Sequence, residues 1–235
     1  RLGLRYVSGL REASARRIEA ERSRGQFSTL GDLVARAGLQ EDERRHLANA
    51  GACAVFGGRR RDVLWQLAAL DRDPTTLFAS RSSAVPKMAA GSSPLSAMSP
   101  LEETLADYDA TGLTAGPHVM AHLRERLRLR DVVASADVRR VPHGRRVRVA
   151  GHVIVRQRPG TAKGMLFLTL EDETGTCNVV IRPDVFSRHR RLLHTCRLLL
   201  VEGPIQSVDG VIHVQGVAFE EMMLAGTAPP SHGFH

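Results

Sequence analysis

The chain has 235 residues, 43% hydrophobic but only 4% aromatic, and its 33 Lys plus Arg against 25 Asp plus Glu give a formal net charge of +8. That length allows one or two modest cores. No apolar run approaches the roughly 20 residues of a membrane span, no secretory leader is visible, and three scattered cysteines, Cys53, Cys177 and Cys196, exclude a disulfide framework or a CxxC zinc site.

A reducing, cytoplasmic compartment, no membrane and a polyanionic partner are the expectations, since a positive field steers phosphate binding. Only two of the cations, Lys87 and Lys163, are lysine. Arginine is therefore the ordinary cation here, and arginine runs carry correspondingly less information. A chain that begins with arginine is expected to be a piece of something longer.

Residues 1–72 read as helices punctuated by glycine. Val7-Ser8-Gly9-Leu10 ends a short apolar segment and opens a helix to about Ser23, with Leu10, Ala13 or Ser14, and Ile18 roughly on one side. A second helix starts at Phe27-Ser28-Thr29-Leu30 with Thr29 as N-cap and Asp32 at its third position, and Gly38 closes it. A third runs from Glu41 to Ala50 and ends at Gly51. Arg59-Arg60-Arg61 then leads into Asp62–Leu70, where Val63, Leu64, Leu67 and Leu70 form an apolar stripe. Two helix-hairpin-helix units in tandem are the sum.

In such a hairpin the glycine lets the backbone approach a phosphate, and free N–H groups at the next helix start point at it. Val7, Ser8, Gly9 and Leu10 are thus candidate nucleic-acid contacts, although glycine before a helix is more commonly a simple turn. Arg59, Arg60 and Arg61 are a second candidate set. Cations at a helix N-terminus oppose the macrodipole at roughly 0.3–1 kcal/mol each, so an anion from outside would relieve the conflict; a solvated loop in an arginine-rich chain is the plainer reading.

Residues 73–98 read as a flexible linker, because Ala79–Ser99 is rich in Ser, Ala, Pro and Gly. Within it, Pro74–Phe78 faintly resembles a sliding-clamp-binding peptide without its leading glutamine. Residues 99–143 read as a helical connector. Ser99-Pro-Leu-Glu102 offers a capping box with proline at the first helical position, and the helix continues to about Asp109. After a break at Gly112–Gly116, Pro117 starts an amphipathic helix through Arg130 with Val119, Met120, Leu123 and Leu127 on its apolar side.

Residues 144–225 carry the most informative pattern. Val147, Val149, Val153 and Val155 alternate with Arg146, Arg148, His152 and Arg156, the period of a half-buried strand. A basic arch, Gln157–Gly164, turns on Pro159, Gly160 and Gly164 into a second strand with Leu166, Leu168 and Leu170 on one face and Met165, Phe167 and Thr169 on the other. Glu173–Thr176 turns into Cys177–Ile181. A short helix follows Pro183-Asp184, with Val185, Phe186, His189, Leu192 and Leu193 near one face. Leu198–Val201 and Val211–Val217 complete the set, joined through Asp209-Gly210.

Strand, strand, strand, helix, strand, strand is the order of a five-stranded OB-fold barrel, and the fold class is therefore α+β: a helical tandem helix-hairpin-helix region, a linker, the barrel and a tail at 226–235. Such barrels bind through the face of strands two and three and the loops after strands one and four. The candidate nucleic-acid-binding residues are Arg146, Arg148, Arg156, Arg158, Thr161, Lys163, Phe167, Thr169, Asn178 and His213, with the loop Gln206–Gly210. Phe167 could equally be packing. His189, His194 and Cys196 lack a fourth ligand at metal spacing, and Glu171, Asp172 and Glu173, beside a glycine turn, read as shaping a hairpin. No metal site and no catalytic residue is expected.

The segments GLRYVSGLREASARRI, FSTLGDLVARAGL, LANAGAC with RRRDVLWQL, LADYDATGLTAGPHVMAHLR, and VRQRPGTAKGMLFLTLEDETG with DGVIHVQ resemble the C-terminal part of bacterial C-family DNA polymerase alpha subunits, in their error-prone, damage-inducible branch. The resemblance covers nearly the whole chain, and the arch and the LEDETG turn are its most specific parts. It implies duplex contact by the helix-hairpin-helix region and single-stranded template contact by the barrel, in translesion synthesis. It also implies a parent enzyme whose magnesium-holding carboxylates lie upstream, so no cofactor is expected in this segment. Other translesion factors and the sliding clamp are the protein partners it suggests. A scaffold docking such factors, or a stand-alone RNA-binding OB protein, are the alternatives.

Overall fold

The computed structural model describes residues 3–70, 94, 96–208 and 210–224. Pro74–Phe78, most of the expected linker, Asp209 and the tail 226–235 lie outside the described residues. The chain divides into two compact units, Arg1–Ala115 and Gly116–His235.

The first unit is helical: a 3₁₀ turn at Leu4–Tyr6, then α1 (Glu12–Arg24), α2 (Leu30–Ala37), α3 (Glu41–Asn49), α4 (Arg60–Leu70) and α5 (Pro100–Thr111). Its boundaries follow local chemistry. The Thr29 hydroxyl accepts from Asp32 N–H at the start of α2, and Gly38 ends that helix in the left-handed region at φ 57°. At α5 the capping box forms in full, with Glu102 N–H donating to Ser99 Oγ and Ser99 N–H donating to the Glu102 carboxylate. Ile18, Leu33, Ala37, Leu47, Val63 and Leu67 meet in one core with Val7, Leu30, Leu39, Ala48 and Cys53. α5 joins the same unit, because Ser8 N–H donates to Ala110 O and Arg60 reaches Glu103 O. The segment expected as one connector is thus shared between the two units.

The second unit is built on seven strands: β1 (Val132–Val133), β2 (Arg146–Gln157), β3 (Leu166–Asp172), β4 (Gly175–Ile181), β5 (Leu198–Val208), β6 (Val211–Gln215) and β7 (Ala218–Glu221). Five of them close a ring, β2-β3-β4-β6-β5 and back to β2, in which only β4–β6 is parallel. This is the five-stranded barrel read from the sequence. Val149, Val153, Leu168, Leu170, Val179, Ile181, Val201, Ile205 and Val214 fill it. Burying apolar side chains of this size contributes about 1.5–3 kcal/mol each relative to exposure.

β2 serves both halves of the barrel. Residues 146–152 pair with β5 and residues 152–157 with β3, and the register slips between Val153 and Val155. That bulge inverts the facing of everything after it: Val155 lies outward opposite Thr169, and Arg156 falls opposite Leu168. On β5, a Cβ at Gly203 would stand 1.9 Å from Gln215 O, so only glycine lets the strands pass where β5 changes partner from β7 to β6.

Several details differ from expectation. β1 and β7 were not foreseen; they are two and four residues long, too short to show alternation. Pro117–Arg130 is not one helix but a 3₁₀ turn, Val119–Leu123, followed by α6 (Arg124–Arg128). His118 Nδ1 accepts from Met120 N–H, and the tight winding lines up Met120 and Leu123, three apart, toward the barrel. The helix after β4 breaks at His189 into α7 (Pro183–Arg188) and α8 (Arg190–Thr195); the His189 ring meets Phe219 edge-on at 5.1 Å.

Candidate nucleic-acid interface

The outward face of β3 and β4 collects Phe167, Thr169 and Asn178, all three expected from the sequence. Register places Phe167 between Gln157 of β2 and Val180 of β4, and Thr169 between Val155 and Asn178. Phe167 is 37% exposed although it sits mid-sheet. An aromatic ring standing in water with polar neighbours is a platform on which a base can stack, at about 1–3 kcal/mol per base. Thr169 Oγ1 lies 3.3 Å from Asn178 Oδ1 and donates to it, which leaves the Asn178 amide N–H groups turned outward as donors.

The face is bounded at one end by the basic arch. Gly160–Ala162 form a 3₁₀ turn and Lys163 follows in the left-handed region at φ 49°. Arg158 closes the arch: its Nε donates to Gly164 O at 3.3 Å and its guanidinium lies 4.8 Å from the Phe186 ring centroid. Arg158 thus organises the loop, while Thr161 and Lys163 are exposed with no side-chain partner among the described residues. At the other end Asp172 accepts from Ser135 N–H, Thr174 N–H, Thr174 Oγ1 and Arg124 Nη2, and Glu173 also binds Arg124. Burial pushes the Asp172 carboxyl up, but hydrogen bonds from Thr174 and Ser135 outweigh it and hold it below its ordinary value. These carboxylates take their partners from within the chain.

Other expected residues lie elsewhere. The bulge turns Arg156 away from the face, and its guanidinium donates to the carbonyls of Leu193 and Cys196 at the end of α8, a capping arrangement. Arg146 and Arg148 sit on the half of β2 that pairs with β5, and Arg148 is held by Glu202 at 3.0 Å. His213 lies outward on β6 opposite Gln206, half-buried, and burial pushes its pKa down. Gln157, Val180 and Gln215 border the face without having been foreseen. The run Val153-Ile154-Val155, three apolar residues where alternation allows two, is the one trace of the bulge that brings Gln157 there.

In the helical unit the hairpin turn is tightly built. Gly9 has φ 78°, and a Cβ there would stand 2.5 Å from the His46 ring, so only glycine fits. Val7 is buried, Leu10 N–H donates to Val7 O, and Ser8 and Gly9 remain on the surface. The mouth of α1 already holds a carboxylate: Glu43 accepts from Arg11 N–H, Arg11 Nε and Nη2, and Gln40 N–H. The Arg11 guanidinium, foremost among these, holds Glu43 well below the usual carboxylate range.

The arginine run is likewise satisfied internally. Arg60 binds Asp107 at 2.5 Å and Arg61 binds Glu102 at 3.0 Å, while Arg59 N–H donates to Asp62. The conflict with the α4 dipole is relieved by carboxylates of the chain itself, and of the three only Arg59 keeps a side chain more than half exposed.

The family profile described as helix-hairpin-helix motif matches residues 1–63, and that described as OB-fold nucleic acid binding domain matches residues 147–220. An error-prone DNA polymerase of Pseudomonas paraeruginosa is 41% identical over 100% of this chain and 23% of its own length. One from Azoarcus sp. is 42% identical over 100% of this chain and 22% of its own. The chain spans about a fifth of the length of the curated relatives it matches. Among solved structures, asparaginyl-tRNA synthetase from Pyrococcus horikoshii is 26% identical, covering 37% of this chain and 22% of that one, at a TM-score of 0.33. No helix among the described residues is long and apolar enough to cross a membrane.

Proposed function

Because the chain belongs with the C-terminal segment of error-prone DNA polymerases, we propose that it is the DNA-holding, non-catalytic part of such an enzyme, with the barrel on unpaired template and the helical unit on duplex. The observation that carries this reading is the face of β3 and β4: an exposed Phe167 flanked by Gln157, Thr169 and Asn178, beside an arch that presents Lys163. Stacking needs an unpaired base, and the lysine supplies one phosphate contact at the rim. Arg158 and the bond to Gly164 O hold the arch in position before the strand arrives, so less ordering cost falls on binding.

For the helical unit the support is the Ser8–Gly9 turn, whose residues lie at the surface beside the start of α1. Chemistry on the primer end would be performed by the rest of the enzyme, and this segment would fix the path of the strands around it.

The test is binding of the full chain to fluorescent dT16 and to a 16-base-pair duplex across a salt series. Lys163→Ala should make the single-strand salt slope shallower by about 0.7, the loss of one phosphate contact. Phe167→Ala should weaken dT16 binding with little change of slope and leave the duplex untouched. If neither variant alters dT16 binding, the face is not the strand site.

A further inference from the structure

We infer that the barrel carries a second nucleic-acid contact, a basic groove on the β2–β5 side that receives the sugar-phosphate backbone of a single strand after it has crossed the β3–β4 face. The inference rests on the strand-binding reading of that face. The groove is an open depression of about 760 Å³ between β1, the 3₁₀ turn Ser135–Arg140 and the first half of β2. Arg128, Arg140, Arg145, Arg146 and Arg148 line it, against only Asp131 and Glu202.

The arginines are not equally committed. Arg128, Arg140 and Arg148 each hold one carboxylate, at 2.7, 2.8 and 3.0 Å, all with the arginine side chain at least 47% exposed, so these pairs are weak and open to exchange for a phosphate. Arg145 and Arg146 are exposed and have no side-chain partner among the described residues. Two guanidinium groups with no carboxylate partner among the described residues, both lining a depression whose other walls include valine and proline, suit a polyanion. No aromatic residue lines the groove, so it offers the bases nothing to stack on and reads the backbone alone.

The ring topology supplies a route from face to groove. Outward positions run from Phe167 to Val180, across to Gln215 on β6, along to His213, across to Gln206 on β5, then past Pro204 to Arg146. Four strand spacings at roughly 4.8 Å each give about 20 Å around the barrel, a span within the 4–16 nucleotides that OB barrels cover. No carboxylate stands on this row, and its members are polar or small apolar groups. The half of β2 that would be the direct path is closed, since His152 is 4% exposed and the 3₁₀ turn Val119–Leu123 packs over it.

The experiment compares full-length wild type, Arg145→Ala/Arg146→Ala, Arg145→Lys/Arg146→Lys and Phe167→Ala on dT5, dT16 and a 16-base-pair duplex over a salt series. The double alanine variant should flatten the dT16 slope by about 1.4, two phosphate contacts at about 0.7 each, and leave dT5 binding as in wild type, while the lysine pair restores the slope. Phe167→Ala should weaken dT5 and dT16 alike. An unchanged dT16 slope in the double alanine variant overturns the groove, as does flattening seen only with duplex, or equally with dT5. If the slope flattens with dT16 while Phe167→Ala changes nothing, the groove stands and the reading of the face falls.

Discussion

Asp172 offers the sharpest test of how the binding face is held. Its carboxylate is buried between β3 and the segment before the barrel, and it accepts from Ser135 N–H at 2.8 Å, Thr174 N–H at 2.8 Å, Thr174 Oγ1 at 2.6 Å and Arg124 Nη2 at 3.0 Å. Asp172→Ala removes all four bonds at once. Ser135 N–H is left buried without an acceptor, which costs about 1–3 kcal/mol, and Arg124 keeps only Glu173. Breaking one side of a buried ion pair costs about 3–5 kcal/mol, and we expect that range. For a unit of this size it corresponds to a fall in Tm of roughly 10–20 °C. The two units can be followed separately, because Trp65, Tyr6 and Tyr108 all lie in the first and the second has neither residue type. Calorimetry and far-ultraviolet circular dichroism should show the barrel transition moving down while the Trp65 fluorescence transition stays. A barrel shift under about 3 °C would mean that the network contributes no more than an exposed ion pair, and the reasoning fails.

Gly9→Ala should act on the other unit. At φ 78° and with His46 in the way, it should lower the Trp65 transition and leave the barrel transition in place, by about 1–3 kcal/mol for the strained backbone; an unchanged Trp65 midpoint refutes it. Acid should weaken both units. Asp172 and Glu43 have folded pKa values depressed below the unfolded ones, so the stability they contribute is complete above the unfolded value near pH 4 and is lost as pH falls through the depressed values. Urea midpoints should therefore hold between pH 7 and 5 and drop between pH 4 and 2.5, and a midpoint that is flat over the lower interval contradicts the assignment.

Much of the fold was legible because its local rules agree with its tertiary ones. Thr29, Gly38 and the Ser99–Glu102 box mark helix ends by chemistry that acts within four residues, and Leu166, Leu168 and Leu170 state the facing of β3 without ambiguity. Phe167, Thr169 and Asn178 followed from that facing. What escaped depended on partners distant in sequence. The bulge at Val153/Val155 is concealed by three apolar residues in a row, so alternation sent Arg156 outward, which is reversed, and Gln157, read as the start of the arch, is the last residue of β2. The arginines at 59–61 were read against the dipole of their own helix, whereas Asp107 and Glu102, more than 40 residues on, answer two of them. Arg146 and Arg148 were grouped with Arg156 as polar positions of one strand, yet they pair with β5 and Arg156 with β3; only the ring shows that one strand can face two sides.

The double duty of β2 also sets an order of assembly. Thr169 and Asn178 are nine residues apart, so the β3–β4 hairpin can zip as soon as its turn forms, with β2 close behind. The seam between β2 and β5 joins Arg148 to Glu202, 54 residues apart, and loop closure over that distance makes it the slow event. Until then the first half of β2 is an open edge, the kind that pairs with whatever strand arrives first. At high concentration that strand can be the β5 of another molecule. The characteristic misfolded product would then be a dimer that exchanges β5 through β7, with each barrel complete and each face intact but the two molecules linked.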